Sequence, residues 1–268
     1  MTNPFKADVL VVKLSGKALT ADKALDALFA ALAGSAANAE RTRVVLVHGG
    51  GVEVDALMRG LDRPIDRIEG LRVSPDEDMP VIAGALAGTC SLKLRGAAQR
   101  AGLMPLGLCA TDAGIGRVVP ADPRLGRVGV IEPGDSAAKR RLQALLDAGF
   151  TPVISSVGMD AAGALWNINA DDAAVASAAL LGAPLIFLSD VPGVLDANKH
   201  LFEQLNEEQA ETLIAEGVIS GGMTVKVRAA FRAAAMTGKP VAAASVFDPM
   251  LPNKLASGQL PGTTFTLE

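Results

Sequence analysis

A chain of 268 residues with a formal net charge of -4 and a pI near 5.3 offers no basic surface for nucleic acid or an anionic membrane. Aromatics are 3% of the residues and tyrosine is absent, which argues against a base-stacking platform, while 50% hydrophobic residues can fill one large α/β domain or two lobes. Cys90 and Cys109 form neither a metal-spacing motif nor a disulfide framework, the N-terminal MTNPFKAD has no apolar targeting segment, and no apolar run reaches the ~18 residues of a spanning helix, so a cytoplasmic protein with buried thiols is expected.

Residues 8–14 (DVLVVKL) read as a strand buried on both faces, as in a parallel sheet. The run ends in Lys13-Leu14-Ser15-Gly16-Lys17. A lysine at the end of a buried strand is costly without an anionic partner, and ligands of open α/β sheets sit beyond the carboxyl ends of strands. Thr20 or Asp22 then caps an amphipathic helix to about residue 33, with Leu25, Leu28, Phe29 and Leu32 on one face. Residues 43–47 are a second buried strand, followed by His48-Gly49-Gly50-Gly51 and a helix carrying Val54, Leu57 and Met58. In that strand–glycine–helix junction, backbone N–H groups can hold a phosphate or carboxylate, although tight turns use glycines too. His48 reads as a structural hydrogen-bonder. No P-loop and no dinucleotide fingerprint occurs at a strand–helix junction.

Residues 64–73 (PIDRIEGLRV) alternate and contain Gly70, which suggests a hairpin or lid. Arg72 suits either a solvated strand position or a bidentate grip on a carboxylate. Ser74 or Asp76 caps a long helix to about residue 100, and its Gly84, Ala85, Ala87 and Gly88 permit close packing, across a subunit interface for example. A strand over 104–109, short β-ribbons over 114–134, a helix over 136–147, a strand over 151–155 and a turn near 160–163 follow.

The next stretch, Leu165-Trp166-Asn167-Ile168-Asn169-Ala170-Asp171-Asp172, places two amides and two carboxylates before an alanine-rich helix over 173–181. Asn169, Asp171 or Asp172 could cap that helix; capping needs one residue, and the surplus is consistent with a polar site at a helix start. Residues 184–188 form a strand ending in Ser189-Asp190-Val191-Pro192-Gly193-Val194-Leu195-Asp196. Asn206 caps a helix to about residue 216. Ile219-Ser220-Gly221-Gly222-Met223 feeds a helix with Val225, Val227, Ala230 and Phe231, and Lys226 near its start reads alone as a surface lysine, since a cation there opposes the helix dipole. Residues 241–246 are a last strand before a polar tail. Strands alternating with helices predict a three-layer αβα sandwich on a mainly parallel open sheet.

Taken in order, K-L-S-G, H-G-G-G, E-G-L-R-V-S-P, A-G-A-L-A-G-T, N-I-N-A-D, L-S-D-V-P-G-V-L-D and G-G-M-x-x-K resemble the acetylglutamate kinases of the amino acid kinase superfamily over almost the whole chain. The resemblance implies the amino acid kinase fold and transfer of the ATP γ-phosphoryl group to the side-chain carboxylate of N-acetyl-L-glutamate, in arginine biosynthesis. It implies that Lys13 and Lys226 stabilise the transferring phosphoryl group and that Asp171 orients both. Gly50 and Gly51 resemble backbone donors to the substrate, and Arg72 and Asn167 the grip on its α-carboxylate and acetylamino end. Gly16, the run Asp190, Val191, Pro192, Gly193, Val194 and Leu195, and the run Val218, Ile219 and Ser220 resemble nucleotide-binding segments, with Mg²⁺ arriving on ATP.

The chemistry suits these residue types. Phosphoryl transfer is mostly positioning and charge neutralisation, and a carboxylate nucleophile, already ionised at neutral pH, needs no general base. By resemblance the chain divides into an acid-binding and dimerising lobe over 1–181 and a nucleotide-binding lobe over 182–268. Ser15 departs from the usual first glycine, and Gly221 from a more usual acidic or polar residue. Arginine-inhibited members carry an extra N-terminal helix, and about seven residues precede the first strand here, so a homodimer insensitive to arginine is expected. The alternatives are a same-fold kinase for another acid or for UMP, or a non-catalytic ligand-binding relative. A nicotinamide-dependent oxidoreductase is disfavoured by the missing fingerprint.

Overall fold

In the computed structural model, residues 8–35, 42–196, 198–257, 259 and 261–267 are described. The seven residues on which the expectation about an N-terminal helix rests lie outside them. β1 (Val9–Leu14) leads through a 3-10 turn (Ala18–Thr20) into α1 (Asp22–Ser35), and β2 (Arg43–His48) leads directly into α2 (Gly51–Gly60). The expected hairpin is β3 (Arg67–Ile68) paired antiparallel with β4 (Leu71–Arg72). It turns at Gly70, whose φ of 82° lies in the left-handed region that glycine adopts without strain.

The long helix is composite: α3 (Met79–Ala83), a π segment (Gly84–Cys90) and α4 (Ser91–Arg100). The π segment coincides with the glycine–alanine stretch, where small side chains tolerate a wider turn. β5 (Pro105–Cys109), the ribbon β6 (Gly116–Pro120) and β7 (Val128–Pro133), α5 (Ser136–Asp147), β8 (Thr151–Ser155), β9 (Val157–Met159) and β10 (Leu165–Ile168) follow. Then come α6 (Ala170–Leu181), β11 (Leu185–Ser189), β12 (Gln204–Asn206), α7 (Glu207–Ala215), α8 (Gly222–Thr237), β13 (Val241–Ser245), α9 (Leu251–Ser257) and β14 (Thr263–Thr266).

An eight-stranded sheet runs in the order β12-β14-β13-β11-β1-β2-β8-β5, parallel at every pairing except β13 with β14. Alternation along the strands sorts side chains into two cores. Leu10, Val12, Leu14, Leu46 and Leu188 face α1, α4 and α9, whereas Val11, Val45, Val47, Leu185 and Phe187 face α6 and α8. The sheet is thus covered on both faces, and the expected three layers are present. A second sheet, β6-β7-β10-β9, and a smaller core around Val54, Met58 and Ile82 complete the fold. Among the described residues no helix is long and apolar enough to cross a membrane.

The structure corrects three local expectations. Thr20 does not cap α1: its hydroxyl donates to the Lys17 carbonyl, closing the preceding turn. Neither Ser74 nor Asp76 caps the long helix. A 3-10 turn (Asp76–Asp78) precedes α3, whose N-cap is Asp78 with no side-chain bond to the helix; Ser74 donates to the Arg72 carbonyl, and Asp76 pairs with Arg127. Residues 241–246 are not the last strand, because β14 pairs with β13 and is flanked by β12. The expected caps at Asn169 and Asn206 are present. Asn169 accepts from the Asp171 amide, and Asn206 with Gln209 forms a reciprocal capping box.

Candidate active site

β1 lies at the point where strand order reverses, with β2 on one side and β11 on the other. Such a switch point opens a crevice at the carboxyl ends of the strands. Lys13 occupies that end of β1, on the face that packs against α6, and its Nζ lies 2.6 Å from Asp171 Oδ1. Both side chains are almost wholly buried, at 8% and 12% exposure, so each charge offsets much of the other's desolvation. The contact is short yet poorly aligned for a hydrogen bond, which leaves Oδ1 without a directed donor. Asp171 stands in the first turn of α6, where the helix dipole also favours a carboxylate.

Lys226, in the second turn of α8, approaches the same place. Burial lowers its pKa from the ordinary lysine value, and the nearby Lys13 ammonium lowers it further; Asp171 and Asp190 act in the opposite direction. The two lysines therefore feel one another's charge around one aspartate. Asp190, just beyond β11, is held below the usual carboxylate range chiefly by a hydrogen bond from Lys17 at 2.6 Å, despite some burial.

The two glycine loops meet backbone to backbone. A Cβ on Gly16 would lie 3.5 Å from the Gly51 amide nitrogen, and a Cβ on Gly50 would collide with the Cys90 sulfur. Gly50 is thus required by close approach, while Gly51 opens onto free space at the start of α2. The N–H groups of that first helical turn form a ready anion-binding surface.

Arg72 is 7% exposed and is not a solvated strand residue. Its guanidinium pairs with Asp55 of α2 and reaches the Gly51 carbonyl at 3.4 Å, whereas Nη1 is buried without a partner. Asp55 also accepts from Arg67 at 2.9 Å. Despite partial burial, the two guanidinium groups hold its carboxyl below the usual range. Asn167, on β10, donates to Ser74 at 3.0 Å. His48 is fully buried; its Nδ1 lies 2.9 Å from the Gly49 carbonyl, and burial pushes its pKa down to about 4. It is a neutral structural imidazole on the face of α4, turned away from Lys13.

In the segments matched to nucleotide binding, Val194 and Ile219 are core side chains, while Val191, Pro192 and Ser220 are at least partly exposed. Gly193 abuts Thr263, whose hydroxyl accepts from the Val194 amide at 2.9 Å. Gly221 starts α8 with a φ of 57°, which suits glycine at that departure from the usual pattern. A separate cleft of about 1090 Å³, lined by Leu201, Ala234, Pro240 and Phe265, opens where the chain enters β13, at the amino end of that strand, whereas Lys13 lies at the carboxyl end of β1.

The model of the amino acid kinase family matches residues 8–244. The chain belongs to the amino acid kinase family. Within it, the acetylglutamate kinase of Vibrio vulnificus (strain YJ016) is 47% identical over 265 residues, covering 99% of this chain and 99% of that one. The acetylglutamate kinase of Aeromonas salmonicida (strain A449) is 46% identical over 258 residues, covering 96% and 98%. Among solved structures, smu.665 from Streptococcus mutans UA159 shares the fold with a TM-score of 0.79 at 26% identity, over 97% of this chain and 99% of that chain.

Three residues that sequence reasoning did not place at the site of this amino acid kinase are brought there by the fold. Lys17 was visible in K-L-S-G-K, but its pairing with Asp190 depends on β1 and β11 being neighbours. Asp55 carries no local signal for its partner Arg72. Ser74 had a signal for a different role, that of a helix cap.

Proposed function

We infer that this member of the amino acid kinase family is an acetylglutamate kinase, which transfers the γ-phosphoryl group of ATP to the side-chain carboxylate of N-acetyl-L-glutamate, giving N-acetyl-L-glutamyl 5-phosphate and ADP in arginine biosynthesis. The observation that carries this reading is the 46–47% identity to enzymes of that name across nearly the whole length. The geometry supports it. A phosphoryl group in transit carries charge on its peripheral oxygens, and fixed cations lower the barrier by neutralising it. Lys13, paired with Asp171, and Lys226, whose pKa both charges move, supply those cations, and the carboxylate limits their repulsion while the phosphoryl group is absent.

The acid binds with its α-carboxylate on Arg72, whose buried Nη1 has no other partner, and with Asn167 beside it. Its side-chain carboxylate then reaches the glycine loop at Gly50 and Gly51. ATP lies along Gly16, residues 190–195 and residues 218–220. Mg²⁺ enters with the phosphates. The phosphate oxygens would be its main ligands, and Asp190 is the carboxylate of this site able to join them.

On this reading, residues 1–181 bind the acid and residues 182–268 the nucleotide, the enzyme works in the cytoplasm, and it is a homodimer. The exposed Leu92 and Met104 beside the small-residue helix support a partner there. The decisive assay is ADP release with ATP and Mg²⁺ across N-acetylglutamate, glutamate, aspartate and UMP. Turnover with N-acetylglutamate far above the rest is expected. A preference for UMP or for a free amino acid would assign the chain to another branch of the family.

A further inference from the structure

One buried hydroxyl ties together the two side chains that grip the acid. Ser74 has no solvent exposure. Its Oγ donates to the Arg72 carbonyl at 3.2 Å and accepts from Asn167 Nδ2 at 3.0 Å. A hydroxyl has a single hydrogen, and here the Arg72 carbonyl takes it. Toward Asn167 the oxygen is therefore only an acceptor, and the amide must turn its NH₂ group to Ser74. Asn167 Oδ1 and the second Nδ2 hydrogen remain for a ligand.

The backbone closes the same loop. The Ser74 amide donates to Leu125 at 2.8 Å, its carbonyl accepts from Arg127 at 2.7 Å, and the Asn167 amide donates to Arg127 at 2.8 Å. Hairpin strand β4, which carries Arg72, is thereby fixed to β10, which carries Asn167. The guanidinium is anchored separately, by Asp55 and the Gly51 carbonyl.

We propose that Ser74 is a positioning residue for the acid substrate, setting the amide plane of Asn167 and the backbone of Arg72 through one shared hydroxyl. This rests on the acetylglutamate kinase reading. The hydrogen bonds of Ser74 go to Arg72, Asn167, Leu125 and Arg127, none of them in the segments proposed for ATP, so its removal acts on acid binding. A hydroxyl that only stabilised the fold would leave the kinetic constants alone.

The test is steady-state kinetics of the full chain with N-acetylglutamate and ATP for wild type, Ser74→Ala, Ser74→Cys, Asn167→Ala and the Ser74→Ala/Asn167→Ala double variant. Loss of one neutral hydrogen bond at each end predicts an acid KM raised about tenfold in Ser74→Ala, with kcat and the KM for ATP within about twofold. Ser74→Cys, which puts a weaker thiol donor and acceptor in place of the hydroxyl at a slightly larger volume, is the second variant should Ser74→Ala not fold, and is expected to show the same split. In the double variant the acid KM is expected to fall clearly short of the product of the two single effects, because Asn167→Ala already removes the Ser74–Asn167 part and only the Arg72 part is left to lose. An unchanged acid KM, equal losses in every constant, or additive effects in the double variant would overturn the role of Ser74. A wild-type enzyme inactive on N-acetylglutamate would instead overturn the reading on which it rests.

Discussion

On the acid side of the site, Arg72 and Asn167 hang from strands, are largely withdrawn from water, and share Ser74 as a common anchor. On the side proposed for the nucleotide, Asp190 and Lys17 sit on loops beyond strand ends, and Lys17 is 68% exposed. The first arrangement is preorganised: its polar groups are fixed by backbone and buried hydrogen bonds before any ligand arrives. The second is a pair of charges that satisfy each other through water-accessible contact and can exchange partners cheaply. Between them stands the Lys13–Asp171 pair, buried like the acid side and charged like the nucleotide side. A small acid with few contacts needs a rigid reader, whereas a triphosphate brings enough charge to reorganise exposed side chains.

The sharpest way to break that comparison is at its centre. Lys226→Ala is expected to cut kcat about 10²–10³-fold with little change in acid KM, because its contact strengthens only as charge moves onto the phosphoryl oxygens. Unaltered turnover would remove Lys226 from the chemistry. Next, Arg72→Ala should raise the acid KM on the order of 10²-fold while the KM for ATP stays near wild type. A matching rise for ATP would mean that the two sides are not separately built.

A third prediction concerns stability on the buried side. His48 stays neutral when folded down to about pH 4, while the unfolded chain binds a proton near pH 6.5. Between those values the unfolded state holds more protons, so stability falls as pH falls through the window. From pH 7.5 to pH 5 the loss from this one group is about 2 kcal/mol, and His48→Asn should flatten that part of the slope. Urea unfolding of both proteins at the two pH values measures it; parallel slopes would show that His48 is not the group responsible. The smallest effect is expected on the exposed side. Lys17→Ala should change the KM for ATP by less than about threefold, since an exposed ion pair contributes little. A larger change, read from ATP titrations at fixed acid, would show that Lys17 holds phosphate directly.

Much of the sheet could be read from local pattern. The runs that became β1, β2, β8, β11 and β13 are short, apolar and β-branched or alanine-rich, and each is bounded by glycine, proline or charge. β12 and β14 escaped because three or four residues such as Gln204-Leu205-Asn206 and Thr263-Thr264-Phe265-Thr266 carry no periodic signal alone. They are strands only because they pair with one another and with β13. The expected caps at Thr20, Ser74 and Asp76 failed for the same reason. Each has a polar side chain before a helix, and in each a closer or better partner took the bond.

The sequence alone determined the alternation of strands and helices, the glycine junctions and the family's charged residues, since these follow from side-chain chemistry over a few neighbouring positions. It could not show that Lys13 meets Asp171, that Lys226 faces both, or that Ser74 joins Arg72 to Asn167, 93 residues away. The lysines and Asp171 meet because parallel strands β1, β2 and β11 bring their carboxyl ends together, and Ser74 meets Asn167 because the chain beyond β4 and strand β10 both bond to Arg127; only the closed tertiary structure, with helices packed on both faces of the large sheet, fixes which distant side chains share that space.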